Sequence, residues 1–139
     1  MGELSPLITI LVVEDHKVFV DILKQRLSQE LGEDDYFFSI ITASNYKEMS
    51  DILTQAIVDM VLLDLKLPDI EWTDTIKFFK RDFPLQPFCI MSSLTSKAYA
   101  IYSLQEGAED YFMKHDRRIN IKERLAFAYA RSLFRKGCE

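Results

Sequence analysis

The feature that most constrains the fold of this chain is a regular alternation of short apolar runs with stretches of helical periodicity. The first run, Leu7–Val13, is apolar at almost every position, as in a parallel strand that is buried on both faces. Similar runs cover residues 36–43, 60–63, 88–91 and 111–113. Because helical spacing of apolar residues follows each run, the sequence predicts five strands alternating with five helices.

Apolar stripes and end signals mark the predicted helices. The stripes are Phe19, Leu23, Leu27 and Leu31; Met49, Ile52, Leu53 and Ala56; Ile76, Phe79 and Phe83; Ala100, Ile101 and Leu104; and Leu125, Ala128, Tyr129 and Leu133. Asn45 and Glu48 have the spacing of a capping box at the start of the second helix. We expect Gly32 and Gly107 to end the first and fourth helices, and the third helix to end before Pro84.

This alternation predicts an α/β fold. Right-handed crossovers place the strands in a mostly parallel sheet with helices on both faces, which gives a doubly wound (βα)5 three-layer sandwich. The ten elements use nearly all of the 139 residues. We therefore expect one domain over residues 1–139, with an ordered core at approximately 7–136 and no output domain in the chain.

Composition excludes several classes of function. The net charge of −5 argues against direct binding of nucleic acid. Cys89 and Cys138 lie far apart in the sequence, form no metal-binding pattern and fit a reducing compartment. We find no signal peptide, and no apolar stretch approaches the length of roughly 20 residues that is needed to span a bilayer. These features predict a cytoplasmic protein that does not contact a membrane.

Polar side chains follow four of the predicted strands. Glu14 and Asp15 follow the first strand, Asp64 the third, Ser92 the fourth and Lys114 the fifth. Because the carboxyl ends of parallel strands meet at one edge of the sheet, these side chains are expected to share a pocket. Three acids in one pocket repel one another, and Mg²⁺ is the natural counter-ion. A carboxylate nucleophile, a metal, a hydroxyl and an ammonium together suit phosphoryl transfer.

The order of these motifs resembles the receiver domains of two-component response regulators, and the resemblance covers nearly the whole chain. The motifs are LVVED at 11–15, VLLDLKLP at 61–68, MSS at 91–93 and GAEDYFMK at 107–114. No single motif is decisive, but four of them occur in the right order on the right elements. The resemblance implies a flavodoxin-like sheet with strand order 2-1-3-4-5.

The resemblance also implies a role for each acid. Asp64 is the expected phosphoacceptor and a Mg²⁺ ligand. Asp15 is expected to bind Mg²⁺ directly and Glu14 mostly through water. The backbone carbonyl of Lys66, two residues beyond the acceptor, is the remaining expected ligand.

Three further residues and the partners follow from the same resemblance. Lys114 is expected to pair with the phosphoryl group and Ser92 to hydrogen-bond it, while Tyr111 reorients with Ser92 as a switch residue. A sensor histidine kinase or a phosphotransfer protein is the expected donor. The surface around helix 4, strand 5 and helix 5 is expected to bind a downstream effector, and it is compatible with a homodimer. Such a domain accepts and loses its own phosphoryl group and is not a turnover enzyme.

The chain departs from the family at three positions. His115 stands where proline is common, so we expect a trans peptide bond before it. Trp72 stands where glycine is common, which predicts a differently shaped loop packed over the third helix. Lys66 occupies a variable position, where its ammonium would attract a phosphodonor or alter hydrolysis. Tyr99 and Tyr102 are either packing residues or a partner-binding patch; the sequence does not decide between these.

Three other classes of protein compete with this interpretation. A haloacid-dehalogenase-type phosphatase needs a second acid where this chain has Lys66. A flavodoxin-like electron carrier needs a phosphate-binding loop after the first strand, and Glu14 and Asp15 would repel a phosphate there. The third is a receiver-like interaction module that works without phosphorylation, and a failure to bind Mg²⁺ would favour it.

Overall fold

The structure, a computed structural model, describes residues 7–28 and 37–137 of the chain. Its elements are β1 (Leu7–Val13), α1 (Lys17–Ser28), β2 (Phe37–Ala43), α2 (Tyr46–Gln55), β3 (Met60–Asp64), α3 (Thr75–Asp82), β4 (Phe88–Ser92), α4 (Lys97–Gln105), β5 (Tyr111–Met113) and α5 (Ile121–Gly137). The expectations for Leu31, Gly32, Tyr36 and Cys138 lie outside the described residues.

The five strands form one parallel sheet in the order β2-β1-β3-β4-β5, as the sequence predicted. β2 lies on one side of β1, and β3, β4 and β5 follow on the other side. The direction in which successive strands are added to the sheet therefore reverses at β1. Val13 at the end of β1 pairs with Ala43 of β2 and Leu63 of β3. The carboxyl ends of these strands therefore lie at the topological switch point, where doubly wound sheets bind ligands.

Two apolar cores cover the two faces of the sheet. Ile8, Ile10 and Val12 of β1 contact the core beneath α1 and α5. Leu11 and Val13 contact the opposite core, beneath α2, α3 and α4. Alternate residues of a strand point to opposite faces, so a strand buried on both faces reads as a continuous apolar run. Each such buried side chain stabilises the fold by about 1.5–3 kcal/mol.

The stripe predicted for α4 identifies the helix but not its buried face. Ile101 and Leu104 are 56% and 47% exposed. Tyr99 and Tyr102 pack half-buried against the core, and Ser103 is fully buried between turns of the helix. The Tyr99 ring contacts Trp72 in the loop after β3, and the Tyr102 ring contacts Tyr99. Ala56 and Leu133, from two other stripes, are also exposed.

The helix ends follow the predicted signals with one change. The Asn45 side chain accepts a hydrogen bond from the Glu48 N–H, as a capping box requires. The Glu48 carboxylate accepts from the Ser44 N–H, one residue before the expected partner. Gly107 follows the end of α4 with φ of +105°, a conformation that other residues rarely adopt.

Candidate functional site

The structure brings the predicted polar residues together at the carboxyl edge of the sheet. Glu14 and Asp15 follow β1, and Lys114 follows β5. Asp64 and Ser92 are the last residues of β3 and β4, so those two strands extend one residue further than predicted. Their backbones are consequently fixed by sheet hydrogen bonds, and their side chains start from rigid positions.

Lys114 joins the two buried acids of the site. Its Nζ lies 2.9 Å from Oδ2 of Asp64 and also forms an ion pair with Oε1 of Glu14. Asp64 is 3% exposed and Glu14 is 4% exposed. A carboxylate that is removed from water in this way requires a charged partner, and Lys114 is that partner for both.

The pKa values of Glu14 and Lys114 depend on their neighbours in this cluster. Burial raises the pKa of Glu14 to about 7; the hydrogen bond to Lys114 lowers it and the nearby Asp64 raises it further. Burial alone would lower the pKa of Lys114, but its hydrogen bonds to Glu14 and Asp64 reverse this and the pKa is raised. Lys114 therefore stays an ammonium, and the burial and crowding disfavour the ionised form of Glu14.

The Asp64 carboxylate is held at both oxygens. Oδ2 accepts from Lys114, while Oδ1 accepts from the backbone N–H of Lys66 at 3.2 Å. The carbonyl of Leu65 in turn accepts a 2.6 Å hydrogen bond from the hydroxyl of Thr75, at the start of α3. The segment directly after Asp64 is thus tied to α3, which restricts how far the carboxylate can move.

Glu14, Asp15 and His16 form a group that could hold a metal ion, with one donor atom from each lying within 4.8 Å of the others. Glu14 and Asp15 were predicted ligands. His16 was not, although it directly follows them in the sequence. Asp64 is not part of this group, and its Oδ2 accepts a hydrogen bond from Lys114.

The donor chemistry of the group fits a hard divalent cation. Mg²⁺ prefers carboxylate oxygens, and Glu14 and Asp15 supply them. Burial is the main cause of the raised pKa of Glu14 and the nearby Asp64 adds to it; a bound cation would lower this pKa. The His16 imidazole is a ligand that transition metals favour, so the two acids are the better match to Mg²⁺.

A cavity of about 350 Å³ lies above the acids. Its lining is Asp15, His16, Phe19, Asp64, Lys66, Ser93, Lys114 and His115. This volume is within the range of small-molecule sites and can accommodate a phosphoryl group with a hydrated cation. Lys66 and His115 are exposed at the rim, so two of the departures from the family pattern stand at the mouth of the cavity.

The predicted switch residues meet at the backbone of one loop residue. The Ser92 hydroxyl is fully buried and accepts a 3.0 Å hydrogen bond from the Leu94 N–H. The Tyr111 hydroxyl donates to the Leu94 carbonyl at 3.1 Å. Ser93, and not Ser92, is among the residues that line the cavity above the acids. Ser92 and Tyr111 are therefore linked through Leu94 at the start of the loop before α4.

The departures at His115 and Trp72 have definite structural outcomes. The Lys114–His115 peptide bond is trans, as predicted, and the described ranges contain no cis peptide bond. The Trp72 ring contacts Tyr99 of α4, with 5.2 Å between ring centroids. We had expected it to pack over α3. Tyr99 and Tyr102 are half-buried packing residues, which answers the question that the sequence left open.

Comparison with known proteins identifies the class that this fold and site define. Residues 10–126 match the response regulator receiver domain family, and the chain belongs to that family. A curated relative is the response regulator SaeR of Staphylococcus aureus (strain USA300), 30% identical over 105 residues. That match covers 76% of this chain and 43% of SaeR, so the chain spans less than half of that relative's length.

Solved structures give the same fold. The signal receiver domain of a putative Luxo repressor protein from Vibrio parahaemolyticus aligns with a TM-score of 0.76 at 22% identity, covering 94% of this chain and 96% of that one. A CheY-like receiver domain protein from Methanospirillum hungatei JF-1 aligns with a TM-score of 0.72 at 26% identity, covering 93% and 98%.

The chain is therefore a receiver domain of a response regulator, a component of two-component signalling. Receiver domains of this class are signalling domains and are not turnover enzymes. Within the described residues, none of the helices has the length and apolar character needed to cross a bilayer.

Proposed function

We propose that Asp64 accepts a phosphoryl group from a sensor histidine kinase or a phosphotransfer protein, with Mg²⁺ as cofactor. The observation that supports this most directly is the buried Asp64 carboxylate, 2.9 Å from the Lys114 ammonium, at the base of a 350 Å³ cavity. The cavity opens at the switch point of the sheet, where ligands of doubly wound folds bind.

In this mechanism Asp64 is the nucleophile. A lone pair on one carboxylate oxygen forms a bond to phosphorus as the bond from phosphorus to the donor histidine nitrogen breaks, and the electron pair of that bond returns to the imidazole. The Lys114 ammonium transfers its contact from the carboxylate to a phosphoryl oxygen, where negative charge remains. The Lys66 N–H, already 3.2 Å from Oδ1, holds the carboxylate in orientation.

Glu14, Asp15, Asp64 and the Lys66 carbonyl are the groups that would hold Mg²⁺. When bound, the ion neutralises the phosphoryl oxygens during transfer. Lys114 is shared between Asp64 and Glu14. Asp15 is exposed beside them and can enter the ligand set without a rearrangement of the core.

We further propose that the acyl phosphate switches the surface formed by α4, β5 and α5. A phosphoryl group on Asp64 draws the Ser92 hydroxyl away from the Leu94 N–H, which frees the loop before α4. Tyr111 follows because its hydroxyl is bonded to the Leu94 carbonyl. To change their populations from 1:99 to 99:1, phosphorylation must favour the second arrangement over the first by about 5.5 kcal/mol. A downstream effector, or a second copy of the chain, would bind the altered surface.

A receiver-like interaction module that works without phosphorylation is the second candidate. The observation in its favour is that the Lys114 ammonium is already paired with both Asp64 and Glu14, so each buried acid has a charged partner from the protein itself. Under this alternative the acids maintain the fold and the site takes no phosphoryl group.

Reductive trapping tests the proposal. An acyl phosphate on aspartate is reduced by borohydride to homoserine, which peptide mass spectrometry can locate. After incubation with acetyl phosphate and Mg²⁺, we expect homoserine at position 64 alone. Homoserine at another aspartate, or 5-hydroxynorvaline at a glutamate, would refute the assignment of Asp64. No homoserine with acetyl phosphate or a histidine kinase, together with no response to beryllofluoride, would favour the interaction module.

A further inference from the structure

Three aromatic rings contact one another in series between the acceptor loop, defined as residues 65–74, and α4. Trp72 belongs to the loop, and Tyr99 and Tyr102 belong to α4. The ring centroids of Trp72 and Tyr99 are 5.2 Å apart with an interplanar angle of 56°. Those of Tyr99 and Tyr102 are 5.3 Å apart at 59°. Tilted contacts at these distances are a favourable geometry for aromatic rings.

The acceptor loop is fixed on both sides of Trp72. The Asp69 carboxylate accepts hydrogen bonds of 2.9 and 3.0 Å from the first two backbone N–H groups of α2. On the other side, the Thr75 hydroxyl donates to the Leu65 carbonyl at 2.6 Å. The loop starts directly after Asp64 and is hydrogen-bonded to α2 and α3. A shift of the loop backbone would therefore also move the Trp72 ring.

The environment of the Tyr99 hydroxyl is a reason to expect a second arrangement of α4. It is buried and has no hydrogen-bond partner among the described residues. A buried hydroxyl without a partner destabilises the packing that contains it. A movement of α4 that exposes this hydroxyl to water removes that penalty, while it also breaks the contact with Trp72. The two effects oppose each other, so a small change in the loop can decide between the arrangements.

We propose that the Trp72–Tyr99 contact couples the acceptor loop to α4, so that phosphorylation of Asp64 alters the position of α4 through the aromatic rings. This inference rests on the proposed function and adds a route that the Leu94 backbone does not supply.

The test measures the chemistry of the site and the response of α4 in the same samples. Wild type and Trp72→Leu are incubated with excess acetyl phosphate and Mg²⁺, and intact mass records the phosphoryl adduct. Hydrogen–deuterium exchange of peptides from residues 94–105 records the response of α4. We expect both proteins to form the adduct, and we expect Trp72→Leu to lose most of the exchange change that wild type shows.

A matched control removes an aromatic ring outside the series. Phe78 of α3 is half-buried and packs under Arg81, so Phe78→Leu should keep the full response of α4. The double variant Trp72→Leu/Tyr99→Leu should lose no more than either single variant, because the two rings act through one contact.

Tyr99→Phe keeps the inference testable if the leucine variants do not fold. It retains the ring contacts and removes only the unpartnered hydroxyl, so it should unfold at the same or a higher temperature. Because the penalty that favours the second arrangement is gone, its α4 response should be smaller than that of wild type.

Separate results overturn the two proposals. The absence of an adduct in wild type would reject the proposed function. An adduct in wild type with an undiminished α4 response in Trp72→Leu, or with an undiminished response in Tyr99→Phe, would reject the coupling. An adduct in wild type without any α4 response would reject it as well.

Discussion

The Lys114 ammonium lies 2.9 Å from the Asp64 carboxylate, although 50 positions separate the two residues in the sequence. Asp64 ends β3 and Lys114 follows β5, with β4 between them in the sheet. The side chain of Lys114 therefore reaches across a strand to the acid, where it also meets Glu14. One cation thus serves two buried acids, and that arrangement sets the electrostatics of the site.

Replacing Lys114 with methionine should destabilise the protein strongly. Asp64 and Glu14 would be left as buried acids without their partner, and breaking a buried ion pair costs about 3–5 kcal/mol. Urea unfolding at neutral pH without Mg²⁺ measures the loss, and added Mg²⁺ should restore part of it. Lys47→Met is the matched control, because its ion pair with Asp51 is exposed and contributes about 0.5 kcal/mol or less. Equal losses for the two variants would contradict the prediction.

Asp15→Asn should weaken Mg²⁺ binding without changing stability. The Asp15 carboxylate is exposed and belongs to the acidic group after β1, so its loss removes a ligand and leaves the core intact. We expect the affinity for Mg²⁺ to fall about tenfold or more, as isothermal titration calorimetry would measure. Asp21→Asn, which changes an exposed acid on α1, should bind as wild type does. Identical affinities in all three proteins would exclude Asp15 as a ligand.

Gly107→Ala should lower the free energy of unfolding by about 1–3 kcal/mol. The φ of +105° at this position is strained for any residue with a Cβ, and the new Cβ would lie 3.0 Å from Nζ of Lys80. The lysine side chain is flexible, so the backbone strain should be the main cause. Adding Lys80→Ala to the variant separates the two causes. If that second substitution restored full stability, the clash and not φ would be responsible.

Cys89 should resist alkylation in the folded protein. Its side chain is fully buried, and burial, with Asp110 and Glu109 adding to it, raises the pKa of the thiol. The thiolate is the reactive form, so a raised pKa and burial both slow the reaction. In a Cys138→Ser background, iodoacetamide should modify Cys89 only as fast as the protein opens, and rapidly in urea. Fast modification without denaturant would show that the strand is accessible.

The sequence predicted the sheet well because its signals are local. A strand covered on both faces requires a continuous apolar run, and Leu7–Val13 has the predicted bounds. Positions after these runs also located the acids and Lys114, since parallel strands end at one edge. The flavodoxin-like order came from the resemblance and is confirmed.

What the sequence did not predict depends on contacts between distant segments. The inward packing of Tyr99 and the exposure of Ile101 follow from how α4 meets the acceptor loop, which helical spacing does not specify. The Trp72 ring contacts α4 for the same reason. Which of two adjacent serines lines the cavity is decided by the alternation along β4, and Ser92 ends that strand with its side chain buried.

The central claim is that Asp64 is a phosphoacceptor, and intact-protein mass after incubation with acetyl phosphate tests it most directly. Wild type and Asp64→Asn are compared with and without Mg²⁺. We predict one phosphoryl adduct on wild type, dependent on Mg²⁺ and absent from the variant. An adduct that persists in Asp64→Asn would contradict the claim, as would a wild type that takes no phosphoryl group from acetyl phosphate or a histidine kinase and does not respond to beryllofluoride.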